Sequence, residues 1–212
     1  METTIKSAKI VSGEDYIQSL RGRNLRIFLF GETIEEPVDH PLIRPSINAV
    51  AKTYDLAVSA PELASVISPF TGERISRFLH VCTSVEDLAN QNKMQRKLGQ
   101  LTGTCFQRCV GMDALKTLYS TTYEIDEQYG TQYHDRLKDF IKMTHTYNYV
   151  IGGAMTDVKG DRSLAPHQQE DPDMFVRITK RTDEGIYVSG AKAHRTGCIN
   201  SHWMVIMPTM RL

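Results

Sequence analysis

The 212-residue sequence predicts an α+β fold: a helical part over residues 1–150, followed by the beginning of a β part over 151–212. Three observations carry this. Apolar residues recur at helical spacing through most of the first 150 positions. A long polar stretch with glycine and proline, "IGGAMTDVKGDRSLAPHQQEDPDM", starts at Ile151. Short apolar runs of strand length, "FVRITKR", "GIYVSGAKAHR" and "HWMVIMPT", come after it.

Each element has a local reason. "SGEDYIQSLRGR" offers Ser12 as N-cap with acids in the first turn. "NLRIFLFGE" is a short apolar run, a strand or a buried extended segment. A helix starts near Pro45, where proline suits a first turn, and Ile47, Val50, Ala51 and Tyr54 make one face. "TSVEDLANQNKMQRKLGQLTG" opens with a capping-box pattern, Ser84 with Asp87, and carries Leu88, Met94, Leu98 and Leu101. "MDALKTLYSTTYEIDEQYG" keeps helical spacing. "TQYHDRLKDFIKMTHTYNYV" puts Tyr133, Leu137, Phe140 and Ile141 on an apolar side. The strand-like end, with no helix after it to cover a small sheet, is the expectation for an N-terminal fragment of a longer protein. The alternative is a complete small domain that covers its sheet with its own helices.

Composition narrows the function class. The 25 basic residues balance the 25 acidic ones, which argues against electrostatic binding to nucleic acid or a membrane surface. No run approaches the length of an apolar membrane span, and the first residues lack a signal-peptide core. A cytoplasmic protein is expected. Four scattered cysteines (Cys82, Cys105, Cys109, Cys198) do not make a secreted disulfide framework.

"TGTCFQRCVGMD" holds Cys105 and Cys109, four residues apart in a segment that reads as helix. There, i and i+4 share a face, about 6 Å apart along the axis. Two thiolates so placed fit one zinc or two corners of an iron–sulfur cluster, although the commoner local spacing is C-x₂-C. Free cysteine is also a small buried apolar residue, so plain core is the other reading. No nearby histidine or cysteine completes a metal site.

"AMTDVKGDR" mixes a glycine, two cations and two aspartates at a helix-to-sheet junction, where backbone N–H groups and cations hold anionic cofactor groups. A surface turn is the ordinary reading, and nucleotide-binding glycine fingerprints are absent. "GAKAHRTGCINSH" is rich in small and polar residues where a plain strand would be apolar, which suggests close approach by a ligand.

Taken together, "DHPLIRPSINAVAKTYDLA", "TGTCFQRCVGMDA", "STTYEIDEQYGTQYH", "GAMTDVKGDRSLAP" and "GAKAHRTGCINSHWMVIMPT" resemble the 4-hydroxyphenylacetate 3-hydroxylase flavoprotein family, in its CoA-dehydratase branch. The resemblance spans nearly the whole chain. It implies an acyl-CoA dehydrogenase-like architecture: an N-terminal helical domain, a middle β domain and a C-terminal bundle, of which this chain carries the first and the start of the second. It implies FAD and a 4Fe-4S cluster, an acyl-CoA substrate, and a homotetramer. Cys105 and Cys109 match two of three cluster cysteines; the third cysteine and a histidine ligand belong to sequence beyond Leu212. The FAD-contacting stretch matches Met155, Thr156, Asp157, Lys159, Gly160, Asp161 and Arg162, and Thr196 matches a threonine near the flavin ring. Gln107 and Arg96 match polar residues of the substrate region, although a solvated Arg96 on a charged helix is the ordinary reading.

The implied reaction removes water from 4-hydroxybutyryl-CoA to give crotonyl-CoA by a radical route, with isomerisation of vinylacetyl-CoA. The general base is expected outside this chain. Two other readings stand beside it: a reduced-flavin aromatic monooxygenase of the same family, which has no cluster, and an inactive truncated remnant.

Overall fold

The structure, a computed structural model, describes residues 8–209. Helix α1 (Gly13–Ser19) begins as its sequence predicts. Ser12 Oγ accepts from the Asp15 N–H at 3.1 Å, and the Asp15 carboxylate accepts from the Ser12 N–H at 2.8 Å. "NLRIFLFGE" forms a hairpin, β1 (Ile27–Leu29) with β2 (Glu32–Ile34), turning at Gly31 with φ +87°. It is not a buried segment: Phe28 and Phe30 stand in solvent.

Helix α2 (Arg44–Ser59) carries Pro45 in its first turn and buries Ile47, Val50, Ala51 and Tyr54. A short helix α3 (Pro61–Ala64) leads into a second hairpin, β3 (Ser65–Ile67) with β4 (Arg74–Ser76), which helical periodicity did not predict. Helix α4 (Val85–Thr102) is capped by Ser84 Oγ on the Asp87 N–H. The capping box is only half formed, because the Asp87 carboxylate accepts from Thr83 N–H instead. Met94 and Leu98 are buried but Leu88 and Leu101 are exposed, so the apolar stripe is narrower than predicted.

Helix α4 stops at Gly103, with φ +60°. A loop follows, and helix α5 (Cys109–Tyr129) begins. Helix α6 (Tyr133–Tyr147) packs against α5; Asp126 of α5 caps it by accepting from the N–H groups of Tyr133 and His134 at 2.9 and 2.8 Å. Ile141 is fully buried on α6, whereas Tyr133 is exposed.

The stretch predicted as a loop from Ile151 starts as a strand, β5 (Ile151–Ala154), paired in parallel with β8 (Trp203–Ile206). The glycines that made it read as loop are packing residues. A Cβ on Gly111 would lie 1.9 Å from the Ile151 carbonyl oxygen, and one on Gly153 would lie 2.2 Å from Val110 Cγ1. The first turn of α5 therefore lies directly on the β5 backbone. Between β5 and β8, β6 (Arg177–Thr182) and β7 (Gly185–Ser189) form an exposed antiparallel hairpin. Among the described residues, three apolar clusters form the core: Tyr16, Leu20, Val50 and Tyr54 under α1 and α2; Phe78, Met94, Leu98 and Met112 where α4 meets α5; Leu79, Leu115, Ile141 and Ile151 under α6 and β5.

Candidate functional site

The chain leaving the C-terminal end of β5 turns along a cleft of about 1250 Å³. Residues 155–167 line it, with Phe175, Ala193, His194 and 207–209. All seven residues of the predicted flavin-contacting stretch, Met155 to Arg162 without Val158, are therefore brought to one cavity. Its size exceeds the roughly 300–1,000 Å³ common for small-molecule sites.

The seven differ in what they can offer. Asp157 is committed inside the protein: its Oδ1 lies 2.6 Å from Lys192 Nζ and accepts from Thr209 Oγ1 at 3.1 Å. Asp161 accepts from the Ser163 N–H and hydroxyl, which hold its carboxyl below the usual carboxylate range. The turn around it is fastened by a residue that sequence reasoning missed. Gln169, nearly buried, accepts from the Asp161 N–H at 2.9 Å and donates to the carbonyls of Asp161 and Leu164. Gly160 fits only because it lacks a Cβ, which would lie 2.4 Å from Gln169 Oε1. Met155 is 57% exposed, and Lys159 and Arg162 are exposed with no carboxylate partner among the described residues. Two free cations, an exposed thioether and a run of backbone at the cleft wall suit a large planar cofactor with an anionic tail.

Thr196 is not in that cleft. It lines a smaller one, of about 450 Å³, together with Gln107, Ser46, Cys198, Asn200 and residues of β1. Arg195 joins the two clefts: it lines the smaller one, while its guanidinium donates to the carbonyls of Gly153 and Thr156 at 2.9 and 2.7 Å. Helical geometry does not single out Gln107, and the structure shows why it is special. It sits in the loop between α4 and α5 with φ +59°, a left-handed conformation that side chains rarely adopt.

The cysteine pair does not sit on one helix face, which corrects the geometry expected from spacing. Cys105 is in the loop, exposed, and its Sγ accepts from the Gln107 N–H at 3.4 Å. Cys109 is the first residue of α5 and half-buried. The helix starts after Cys105 because Gly103 ends α4 and Gln107 takes the left-handed conformation. The two thiols remain close enough to interact: burial first, then charge on Cys105, pushes the Cys109 thiol up. Among the described residues, no group of three or more His, Cys, Asp or Glu side chains could hold a metal ion. The donor set of the pair, two soft sulfurs at a 21-residue helix N-terminus, fits half of an iron–sulfur site.

Arg96 is exposed on α4 and lines neither cleft. The residue that fixes the loop is instead Arg108, which sequence reasoning passed over. It is 2% exposed, donates to Thr53 Oγ1 at 2.9 Å, and lies between the rings of Tyr54 and Phe78, 4.8 Å from each centroid. Its place between Gln107 and Cys109 was the only signal in the sequence.

The N-terminal family of 4-hydroxyphenylacetate 3-hydroxylases matches residues 12–212. The chain belongs to that family. Within it, the chain is 52% identical to the 4-hydroxybutyryl-CoA dehydratase/vinylacetyl-CoA-Δ-isomerase of Clostridium aminobutyricum, over 96% of this chain and 42% of the relative. It superposes on the solved 4-hydroxybutyryl-CoA dehydratase of N. maritimus with a TM-score of 0.92 and 65% identity, covering 96% of this chain and 41% of that one. A 4-hydroxyphenylacetate 3-monooxygenase oxygenase component, solved with FAD and 4-hydroxyphenylacetate, shares the fold at a TM-score of 0.73 and 22% identity, covering 95% and 41%. The chain spans about two-fifths of the length of these relatives. Among the described residues no helix is long and apolar enough to cross a membrane.

Proposed function

We propose that this chain supplies the N-terminal part of an FAD- and 4Fe-4S-dependent dehydratase that converts 4-hydroxybutyryl-CoA to crotonyl-CoA and isomerises vinylacetyl-CoA. The observation that carries the reading is the 52% identity to a dehydratase/isomerase across 96% of the chain. The geometry is compatible with it: the first turn of α5, which follows the cysteine loop, packs on β5, and the wall of the large cleft starts at the C-terminal end of β5. Residues 1–150 form the helical domain and 151–212 open the β domain, in a homotetramer in the cytoplasm.

The residues present fit both groups. The wall of 155–162, with Lys159 and Arg162 free to meet a diphosphate, would hold FAD. Cys105 and Cys109 would hold two corners of the cluster. When bound, the flavin supplies one-electron chemistry and the cluster a Lewis acid for the departing hydroxyl, which makes an unactivated C–H bond removable.

The chain's own contribution is orientation. Gln107, between the two cysteines and in the smaller cleft, presents an amide N–H to an oxygen of the acyl thioester. The Thr196 hydroxyl, in the same cleft, would hydrogen-bond the edge of a flavin ring reaching in from the larger cleft. Its neighbour Arg195 keeps the wall between the clefts in place, because its guanidinium is occupied by the carbonyls of Gly153 and Thr156. Arg96, on the exposed face of α4 and outside both clefts, would reach the substrate region only in the full-length protein.

The test is the reaction of the full-length protein. Crotonyl-CoA formed from 4-hydroxybutyryl-CoA supports the reading. Hydroxylation of 4-hydroxyphenylacetate with reduced flavin, and no dehydration, replaces it with the monooxygenase reading.

A further inference from the structure

The Gln107 carboxamide is held at both ends. Its Nε2 donates to the Ser46 carbonyl at 3.2 Å. Its Oε1 accepts from Asn200 Nδ2 at 2.6 Å. The same Nδ2 donates to Ser46 Oγ at 3.0 Å, so both of its hydrogens are used. Since an amide nitrogen cannot accept and an amide oxygen cannot donate, this arrangement allows only one orientation of Gln107.

Asn200 is itself fixed. It is 1% exposed; its main-chain carbonyl accepts from the Tyr16 hydroxyl at 2.7 Å, and its main-chain N–H donates to the Gly197 carbonyl at 3.0 Å. Its amide is oriented by Ser46 Oγ, whose own hydrogen goes to the Ile43 carbonyl at 2.8 Å, so that Ser46 Oγ must accept from Nδ2; the buried Asn200 Oδ1 has no partner among the described residues. The socket is completed by Gly197, where a Cβ would lie 2.7 Å from Gln107 Oε1. Its φ of +81° also favours glycine. The second Nε2 hydrogen of Gln107 has no acceptor among the described residues, and Gln107 and Asn200 both line the smaller cleft.

From this we infer that Asn200 is a positioning residue: it locks the Gln107 carboxamide so that the cleft is offered an N–H donor and never the amide oxygen. The ligand group selected is an acceptor, such as a thioester carbonyl or a hydroxyl oxygen, on the acyl-CoA. This rests on the functional reading above, which places the acyl thioester in that cleft. A purely structural asparagine would stabilise the loop without making Gln107 its only route to binding.

The experiment is a double-mutant cycle in the full-length protein, with crotonyl-CoA as the binding probe and crotonyl-CoA formation as the rate readout. Asn200→Ala and Gln107→Ala are each expected to weaken crotonyl-CoA binding about tenfold, the scale of one committed hydrogen bond. FAD and iron content should be unchanged. The double variant is expected to be no weaker than Gln107→Ala alone. Asn200→Asp, which presents an acceptor to Gln107 Oε1, should bind less tightly than Asn200→Ala. Additive losses in the double variant, or a loss in Asn200→Ala that persists without Gln107, overturn the proposal and leave the functional reading intact. A wild-type protein that neither binds acyl-CoA nor forms crotonyl-CoA overturns both.

Discussion

At the residue scale, two kinds of buried polar side chain carry the site's framework. Arg108 has no carboxylate partner among the described residues; its burial is offset by two aromatic faces and one hydroxyl. Replacing it with alanine leaves a cavity between Tyr54 and Phe78, with an expected loss of about 3 kcal/mol of unfolding free energy. Lysine should not restore it, because it lacks the plane that stacks. Urea unfolding checks both. Two buried histidines, His145 and His202, are held neutral. His145 Nε2–H donates to the Leu79 carbonyl and its Nδ1 accepts from Ser68 Oγ. His202 Nδ1 accepts from the Val150 N–H, so its Nε2–H donates to Ser19 Oγ. Burial pulls their pKa values down to about 4 and about 3, the latter helped by Arg23 and Arg108. A lowered pKa means that the unfolded chain binds protons the folded chain refuses. Stability is therefore complete above about pH 6.5 and falls as the pH drops toward 4. From pH 7 to pH 5 the two histidines should cost about 4 kcal/mol together. Equal unfolding free energies at pH 7 and 5 would contradict this assignment.

At the element scale, the contact of α5 on β5 links the helix that follows the cysteine loop to the strand that leads into the larger cleft. Gly111 is its closest point, with backbone where a Cβ would be. Gly111→Ala must push the helix off the strand, with an expected loss of about 3 kcal/mol and a fall in FAD retention by the full-length protein. Thermal unfolding and flavin content measure the two effects. The sequence hid this contact for a physical reason: "IGGA" has the composition of a loop, and only its neighbours make it a strand. The helices were legible because their caps and stripes are local, as at Ser12, Ser84 and Ile47 to Tyr54. The break between α4 and α5 was not, since it depends on a left-handed Gln107 that only the surrounding packing selects.

At the scale of the whole molecule, a parallel pair β5–β8 and a projecting β6–β7 hairpin follow a helical body. Local spacing could not decide between core and ligand for Cys105 and Cys109; five blocks in order along the chain pointed to the family, and the match over residues 12–212 shows it. Asn200 was invisible in the sequence because its partner, Gln107, lies in another segment, and Gln169 because only the folding of its own loop turns it back on Asp161 eight residues away. With two of the four proposed cluster ligands, the 212-residue chain alone is expected to form no crotonyl-CoA. Product above background from the purified chain would contradict that. Whether Cys105 and Cys109 are cluster ligands is decided by iron and acid-labile sulfide per FAD in the anaerobically purified full-length protein and its Cys109→Ala variant. About four irons and four sulfides per flavin are expected in the wild type, the composition of one 4Fe-4S cluster, and their loss in the variant. An iron-free wild type that still dehydrates 4-hydroxybutyryl-CoA would contradict it.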